Sequence, residues 1–388
     1  MLGGKSVGKL FCMFSAVAAL ALLGFMPEAR TAAQSTGDVY VLSNQPDENA
    51  VIVFHRNANG ALEPGGRFPT GGTGAGSGPN PLGSQGSLIL SGDNRLLFAV
   101  NAGSDSISAF SVSRDALTLL QSIPSGGTMP VSLTVSHDLL YVLNAGGTTP
   151  NITGFRIVPE SQQAKALVPL QGSTQPLPNG SAATPAEVSF TPDGKNILVT
   201  EPGANQIVSF SVSQKGQANL ANTVPATGNE PFGFAFSQEF VIAANTSNGA
   251  PQQGSMSSYR LMPSGGELIP VSSPVMDNGT ASTWAIVTES GKIAFTTNTM
   301  SGTISSFAVS PHDGSLTLNQ AAAATLQAQD GSSLFPAGMA VSNDGRFLYV
   351  RNGANGSVSG YLIHSDGSLT LAAQVTGLPS TAAGIAAR

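Results

Sequence analysis

Two acidic residues stand where their side chains could carry out acid–base chemistry together. Glu187 lies two residues after Pro185 at the start of an alternating apolar run, and Glu201 ends the next run along the chain. Neighbouring carboxyl groups push their pKa values apart, so that one can serve as acid and the other as base. Carboxylate oxygens could equally bind Ca²⁺ with backbone carbonyls. We take Glu187 and Glu201 as candidate catalytic residues, and a polar but inactive cluster remains the alternative.

Six further residues are candidates for contacting a substrate. They occupy positions equivalent to those of the two acidic residues or adjacent to them, and most replace a residue type that is usual there. These candidates are Gln85, Glu230, Phe232, Trp284, Asn298 and Arg351. Trp284 is the only tryptophan, and its alternative role is simple packing. The connection at residues 245–255 is long enough to form a flap beside them.

The elements that must position these side chains repeat along the chain. Seven times, an alternating apolar run ends at a polar residue, and an aromatic residue follows on the next run. The polar residues are Asn44, Asn101, Asn144, Glu201, Asn245, Asn298 and Asn352, and the aromatic residues are Phe54, Phe110, Phe155, Phe210, Tyr259, Phe307 and Tyr361. Turn sequences such as NDG and PDG separate the runs, as in antiparallel hairpins. A period of about 50 residues with four strands is typical of a propeller blade.

The two ends of the repeat array predict a closed ring. The first repeat starts at Gly37 with its second strand, DVYVLSN, and the missing first strand appears at residues 380–386 as STAAGIA. We therefore predict one all-β domain over residues 34–388, a seven-bladed β-propeller of four-stranded antiparallel blades closed by the C-terminal strand. Closure removes exposed sheet edges. The glycine-rich segment 71–81 lacks the spacing of a phosphate loop and is expected to connect the first two blades.

The histidines are predicted to lie away from the candidate site. The innermost strands of all blades begin on one face of such a ring, which we call the upper face, and the candidates gather there. All four histidines fall at predicted hairpin turns on the opposite face or the rim: His55, His137, His312 and His364. They form no metal-ligand cluster, so we predict neither a metal site nor a cofactor, with Ca²⁺ at the channel mouth as the open alternative.

Residues 1–33 read as a signal peptide. Lys5 and Lys9 precede an apolar run at residues 10–26, and small residues follow as far as Ala33. An uncleaved anchor is the alternative. Removal of residues 1–33 would leave 13 basic and 21 acidic residues, a formal charge of −8, and no cysteine, since Cys12 is the only one. We therefore expect a secreted or periplasmic monomer without a membrane span, and no binding of nucleic acid, which requires a basic patch.

The phrase DGRFLYVRNGANGSVSGYLIHSDGSLTL at residues 344–371 resembles the lactonase-family seven-bladed propellers. This family includes the propeller-type 6-phosphogluconolactonases and fungal carboxymuconate cyclases and is related to YVTN-type propellers. The resemblance covers roughly residues 38–388 and implies the hydrolysis of a small sugar lactone. Catalytic members place His and Arg after a proline near the starts of inner strands. The matching positions here hold neither: Ala186, Glu187, Phe232, Gly233, Ala337 and Gly338.

Two functions from different classes therefore remain. The resemblance implies an exported hydrolase of a small sugar lactone, similar to 6-phosphogluconolactonase, with Glu187 as its base. The absence of the family's His and Arg favours a non-catalytic secreted or cell-envelope propeller that binds a protein or small-molecule partner on its upper face.

We predict that the mature protein begins near Gln34 and is exported, because the segment before it has the composition of a signal peptide. N-terminal sequencing of the exported protein tests this. Membrane-bound protein that retains Met1 would instead indicate an uncleaved anchor.

Overall fold

A computed structural model describes residues 1–4, 36–114, 116–158, 166–262 and 265–388. The predicted signal peptide beyond its first four residues, and the predicted domain start at residue 34, lie outside the described residues. Within those ranges, no helix has the length and apolar character needed to cross a bilayer.

The described strands form seven antiparallel sheets, which are the blades of the propeller. Blade 1 contains β1 (Gly37–Leu42), β2 (Ala50–Arg56), β3 (Leu62–Pro69) and the C-terminal β29 (Ala383–Ala387). Blade 2 contains β4 (Leu88–Leu90), β5 (Leu96–Asn101), β6 (Ser106–Val112) and β7 (Leu117–Pro124). Blade 3 contains β8 (Pro130–Ser136), β9 (Leu139–Asn144), β10 (Asn151–Ile157) and two short outer strands, β11 (Leu167–Pro169) and β12 (Gln175–Pro176).

The remaining four blades have four strands each. Blade 4 contains β13 (Glu187–Phe190), β14 (Asn196–Glu201), β15 (Gln206–Val212) and β16 (Ala218–Pro225). Blade 5 contains β17 (Pro231–Ser237), β18 (Phe240–Asn245), β19 (Ser255–Leu261) and β20 (Leu268–Met276). Blade 6 contains β21 (Ser282–Val287), β22 (Ile293–Asn298), β23 (Thr303–Val309) and β24 (Leu316–Thr325). Blade 7 contains β25 (Pro336–Val341), β26 (Phe347–Asn352), β27 (Ser357–Ile363) and β28 (Leu369–Thr376). Single-turn 3₁₀ helices lie at Gly180–Ala183, Pro202–Ala204 and Ser247–Gly249.

In four blades the repeated asparagine joins the second strand to serine residues of the third through its side chain. Asn352 Nδ2 donates to the hydroxyl oxygens of Ser357 and Ser359, each at 2.9 Å. The same pair of bonds to residues five and seven positions later occurs at Asn101 and Asn298. Asn245 makes the equivalent bonds ten and twelve positions later, to Ser255 and Ser257, because the connection in its blade is longer. These asparagines are fully buried, so they satisfy hydroxyl groups inside the blade, as buried polar groups require.

The ring closes as the sequence predicted. In blade 1, β29 pairs with β1 in antiparallel register, with Val39 opposite Ala387 and Val41 opposite Ile385. Ile385 is only 8% exposed and packs in a cluster that contains residues of blades 1 and 7. The first and last described strands of the propeller therefore share one sheet, which joins the two ends of the ring.

Ile385→Asp should lower the free energy of unfolding by roughly 3 kcal/mol or more, because it leaves an unpaired charge in the closing sheet. Leu371→Asp is the matched control: Leu371 is 58% exposed on the outer strand β28, and exposed substitutions usually change stability by about 0.5 kcal/mol or less. Thermal unfolding of both variants measures the difference. Equal melting temperatures would contradict the closing role of β29.

Candidate active site

The upper face carries the starts of the innermost strands, and one glutamine joins three of them. Gln85, from the connection between blades 1 and 2, extends its carboxamide across the channel to blades 4, 5 and 6. Its Nε2 donates to Ala285 O at 2.9 Å, to Phe234 O at 3.2 Å and to Glu187 Oε1 at 3.2 Å. Its Oε1 accepts from Ala285 N at 3.0 Å.

Gly233 makes this position of Gln85 sterically possible. A Cβ atom added to Gly233 would lie 2.3 Å from Gln85 Oε1, closer than real Cβ contacts. The absence of a side chain on Gly233 therefore leaves the space that the Gln85 carboxamide fills.

The connection that carries Gln85 lies over the whole upper face. We call residues 71–87 the cover segment. Its backbone or Gln85 side chain hydrogen-bonds with residues from every blade: Gln45, Gly103, Leu133, Ala186, Phe234, Ala285 and Arg351. The sequence predicted a connection between blades 1 and 2 at residues 71–81, which is correct, but it gave no indication that this connection caps the channel.

Glu187 is held beneath the cover segment. It begins β13, is 6% exposed, and its Oε2 accepts a hydrogen bond from Phe234 N at 2.6 Å. Burial raises the pKa of Glu187 well above its ordinary value, and the hydrogen bonds from Phe234 N and Gln85 oppose that rise. The neutral, protonated form of this carboxyl group is therefore favoured by its burial.

Two aromatic candidates from blades 5 and 6 contact each other. The rings of Phe232 and Trp284 meet edge to face, with centroids 5.5 Å apart. Trp284 is 3% exposed, and its Nε1 donates to Ser84 O of the cover segment at 3.2 Å. Thr200 Oγ1 donates to Phe232 O at 2.6 Å. The structure therefore brings Gln85, Glu187, Phe232 and Trp284 together around the channel.

Glu201 belongs to a different set of contacts. Its Oε2 accepts from Asn179 Nδ2 at 2.5 Å and from Gln206 Nε2 at 2.7 Å, and its Oε1 has no hydrogen-bond partner among the described residues. Burial raises its pKa, and those two hydrogen bonds oppose the rise. Thr200, not Glu201, lies opposite Glu187 in the strand register. Because side chains alternate along a strand, Glu201 projects from the other side of the sheet.

The other three candidates also have partners of their own. Asn298 is fully buried within blade 6. Glu230 accepts from Thr246 Oγ1 and from Asn248 N, in the predicted flap, and burial raises its pKa. Arg351 is 1% exposed and donates through Nη1 to Pro79 O at 3.1 Å, whereas its Nε has no hydrogen-bond partner among the described residues. Burial lowers the pKa of Arg351 to about 9.

Three histidines lie in turns as predicted, but His55 does not. His137, His312 and His364 follow strands at hairpin turns, whereas His55 is part of β2 and pairs through Nδ1 with Asp38 Oδ1 at 2.7 Å. The expectation failed because the run of β2 continues one residue past His55. Within the described ranges, no group of three or more His, Cys, Asp or Glu residues is placed to hold a metal ion.

Comparison with known proteins gives a family and a fold. A sequence model described as "Lactonase, 7-bladed beta-propeller" matches residues 35–175, 166–250 and 253–378. A periplasmic gluconolactonase from Pseudomonas aeruginosa is 17% identical over 88% of this chain and 97% of that chain, with a TM-score of 0.67. A candidate 6-phosphogluconolactonase from Bacteroides fragilis is 18% identical over 91% and 98%, with a TM-score of 0.66. Such identities show a shared fold alone. No curated protein matches the sequence significantly.

Gln85→Ala should loosen the cover segment, because it removes the hydrogen bonds that join this segment to blades 4, 5 and 6. We expect the free energy of unfolding to fall by roughly 1–3 kcal/mol. We also expect acrylamide to quench the fluorescence of Trp284 more strongly than in the wild type. Gln217→Ala is the control, since the Gln217 side chain makes one hydrogen bond, to Gln171 O at an exposed site. Unchanged quenching in Gln85→Ala would show that Gln85 does not hold the cover segment in place.

Proposed function

We propose, since this chain belongs to the lactonase family of seven-bladed β-propellers, that it hydrolyses a small sugar lactone at the centre of its upper face. The proposal rests on the position of Glu187. Its carboxyl group is the acidic side chain at the start of an innermost strand, it is buried in the channel, and burial raises its pKa. The lactonase activity in the names of the structural relatives is consistent with this chemistry, but those names describe the relatives and not this chain.

Glu187 would act as the general base for lactone opening. Its carboxylate accepts a proton from water while the water oxygen attacks the lactone carbonyl carbon. The bond between that carbon and the ring oxygen then breaks. The ring oxygen takes the proton back from Glu187 and becomes a hydroxyl group, and the product is a hydroxy acid. A carboxylate with a raised pKa binds a proton more strongly than an ordinary glutamate does, which favours its role as a base.

The backbone around Gln85 would supply the electrostatic stabilisation. Gln85 Oε1 is a carbonyl oxygen that accepts from Ala285 N at 3.0 Å, beside the carboxyl group of Glu187. A lactone carbonyl in the same position would receive that hydrogen bond, and a backbone N–H can stabilise the developing oxyanion. The Gln85 carboxamide and the substrate carbonyl would then compete for one place, so turnover requires Gln85 to withdraw.

The position of the cover segment over the channel favours a second function. Both oxygens of Glu187 already accept hydrogen bonds from the protein, and the cover segment spans the channel. A propeller that binds a protein or a small molecule on this covered upper face without catalysis is therefore the alternative proposal.

We also propose that the protein works outside the cytoplasm. Residues 1–33 have the composition of a signal peptide, and one structural relative is a periplasmic gluconolactonase.

Glu187→Gln should lower lactone hydrolysis about 10²–10⁴-fold, the usual contribution of general-base catalysis. Because a base acts when deprotonated, the wild-type rate should rise with pH through the raised pKa of Glu187, and the variant should lose this dependence. Initial rates on a panel of sugar lactones measure both effects, and melting temperatures check folding. Glu239→Gln, at an exposed turn, is the control, and replacing all four histidines should change little.

These measurements test the lactonase activity and the role of Glu187 separately. Absence of lactone hydrolysis by the wild type would reject the enzyme proposal and leave the binding proposal. Hydrolysis that persists undiminished in Glu187→Gln would keep the activity and reject Glu187 as its base.

A further inference from the structure

A pocket of about 550 Å³ opens at the seam where the ring closes, away from the upper face. It is lined by the start of β1 and the end of β2 in blade 1, and by hairpin turns of blades 2 and 7. The other blades join their two innermost strands through a hairpin turn. In blade 1 these strands are β29 and β1, which no hairpin connects. The pocket therefore lies where a turn stands in the other blades.

The lining of this seam pocket has more positive than negative side chains. Arg56, Arg114 and Arg388 face it, together with Asp38 and Asp344. Arg388 Nε donates to Asp38 Oδ2 at 2.8 Å, and Arg56 Nη1 donates to Asp344 Oδ2 at 3.1 Å. Two arginines are thus paired with the two carboxylates, and the Arg114 side chain has no ion pair with any residue that the structure describes. This is notable in a chain whose formal net charge is −6.

Arg56 is buried with its donors incompletely used. The residue is 2% exposed, and its Nε has no hydrogen-bond partner among the described residues. Its carboxylate partner, Asp344, has a side chain that is 38% exposed, so solvent weakens the compensation. Removing a guanidinium group from water is unfavourable unless its donors and charge are satisfied. Arg56 Nη2 donates to Thr36 O at 3.4 Å and the guanidinium carbon lies 5.7 Å from the centre of the Phe347 ring, so Nε is the Arg56 donor without a partner among the described residues. An anionic ligand could accept from this donor.

Uncharged donors complete the lining. Asn94 and Asn343 face the pocket from the turns of blades 2 and 7, and neither side chain has a hydrogen bond among the described residues. Amide groups and the guanidinium group of Arg114 together match the several acceptor oxygens of a carboxylate or phosphate.

We propose that the seam pocket binds a small oxyanion, a carboxylate or phosphate group, through Arg114 with help from Arg56, Asn94 and Asn343. The site is separate from the candidate active site and does not depend on lactone hydrolysis. Because its lining comes from blades 1, 2 and 7, a bound anion would link the two blades on either side of the closing sheet. Any ligand that binds only the folded ring raises its stability.

Thermal unfolding at constant ionic strength tests the proposal, with inorganic phosphate and D-gluconate as separate probes. We expect a saturable rise in melting temperature for at least one probe in the wild type. Arg114→Gln should weaken that binding roughly tenfold or more, because charge-assisted bonds to guanidinium are among the stronger hydrogen bonds. Arg95→Gln should bind as the wild type does, because the Arg95 side chain is 85% exposed and lies outside this pocket.

The controls separate binding from a general salt effect. Phosphate also stabilises folded proteins through exclusion from their surface, which produces a rise without saturation in all three proteins. That result, or no response to either probe, would overturn the proposal. A response to phosphate alone would assign the site to phosphate groups, and a response to gluconate alone would assign it to carboxylates.

Discussion

The pairing of β29 with β1 is the constraint on which the geometry of this propeller depends. Each blade buries its strands against its neighbours, and the ring exists only when the seventh blade meets the first. The closing sheet fixes this meeting through the register of Val39, Val41 and Ile385. With the ring closed, the innermost strands converge on one channel, and residues far apart in sequence face each other. Gln85 and Ala285 are hydrogen-bonded across 200 positions of the chain, which no single blade could achieve.

The closed channel explains why a buried carboxyl group is tolerated. Desolvation of Glu187 is unfavourable for its charged form, and the hydrogen bonds from Phe234 N and Gln85 Nε2 offset part of that cost. The same contacts connect stability with the proposed activity. Gln85 Oε1 accepts the hydrogen bond of Ala285 N, and a lactone carbonyl would need that donor during hydrolysis. A function on the upper face therefore requires the cover segment to move, whether the ligand is hydrolysed or only bound.

The fold could be predicted because its evidence is local and repeated. Alternating runs, DG turns and the recurring asparagine each report on one blade, and STAAGIA identifies the strand that blade 1 lacks. The site was less predictable because its contacts are long-range. The sequence marks Gln85 as unusual for its position, but its hydrogen bonds to three blades depend on the curvature of the whole ring. Prediction was limited even within the hairpin of β13 and β14. Its strand register places Thr200 opposite Glu187, so that Glu201 projects from the other side of the sheet. No local sequence pattern indicates that the glycine-rich connection covers the channel.

The central claim is that Gln85 occupies the place of a substrate carbonyl beside Glu187. A crystal structure of the protein soaked with a non-hydrolysable sugar lactam would test it most directly. The account predicts electron density for the lactam next to Glu187, with its carbonyl oxygen within hydrogen-bond distance of Ala285 N and with the Gln85 side chain withdrawn. Lactam bound at another place, with Gln85 still hydrogen-bonded to Ala285, would contradict the account.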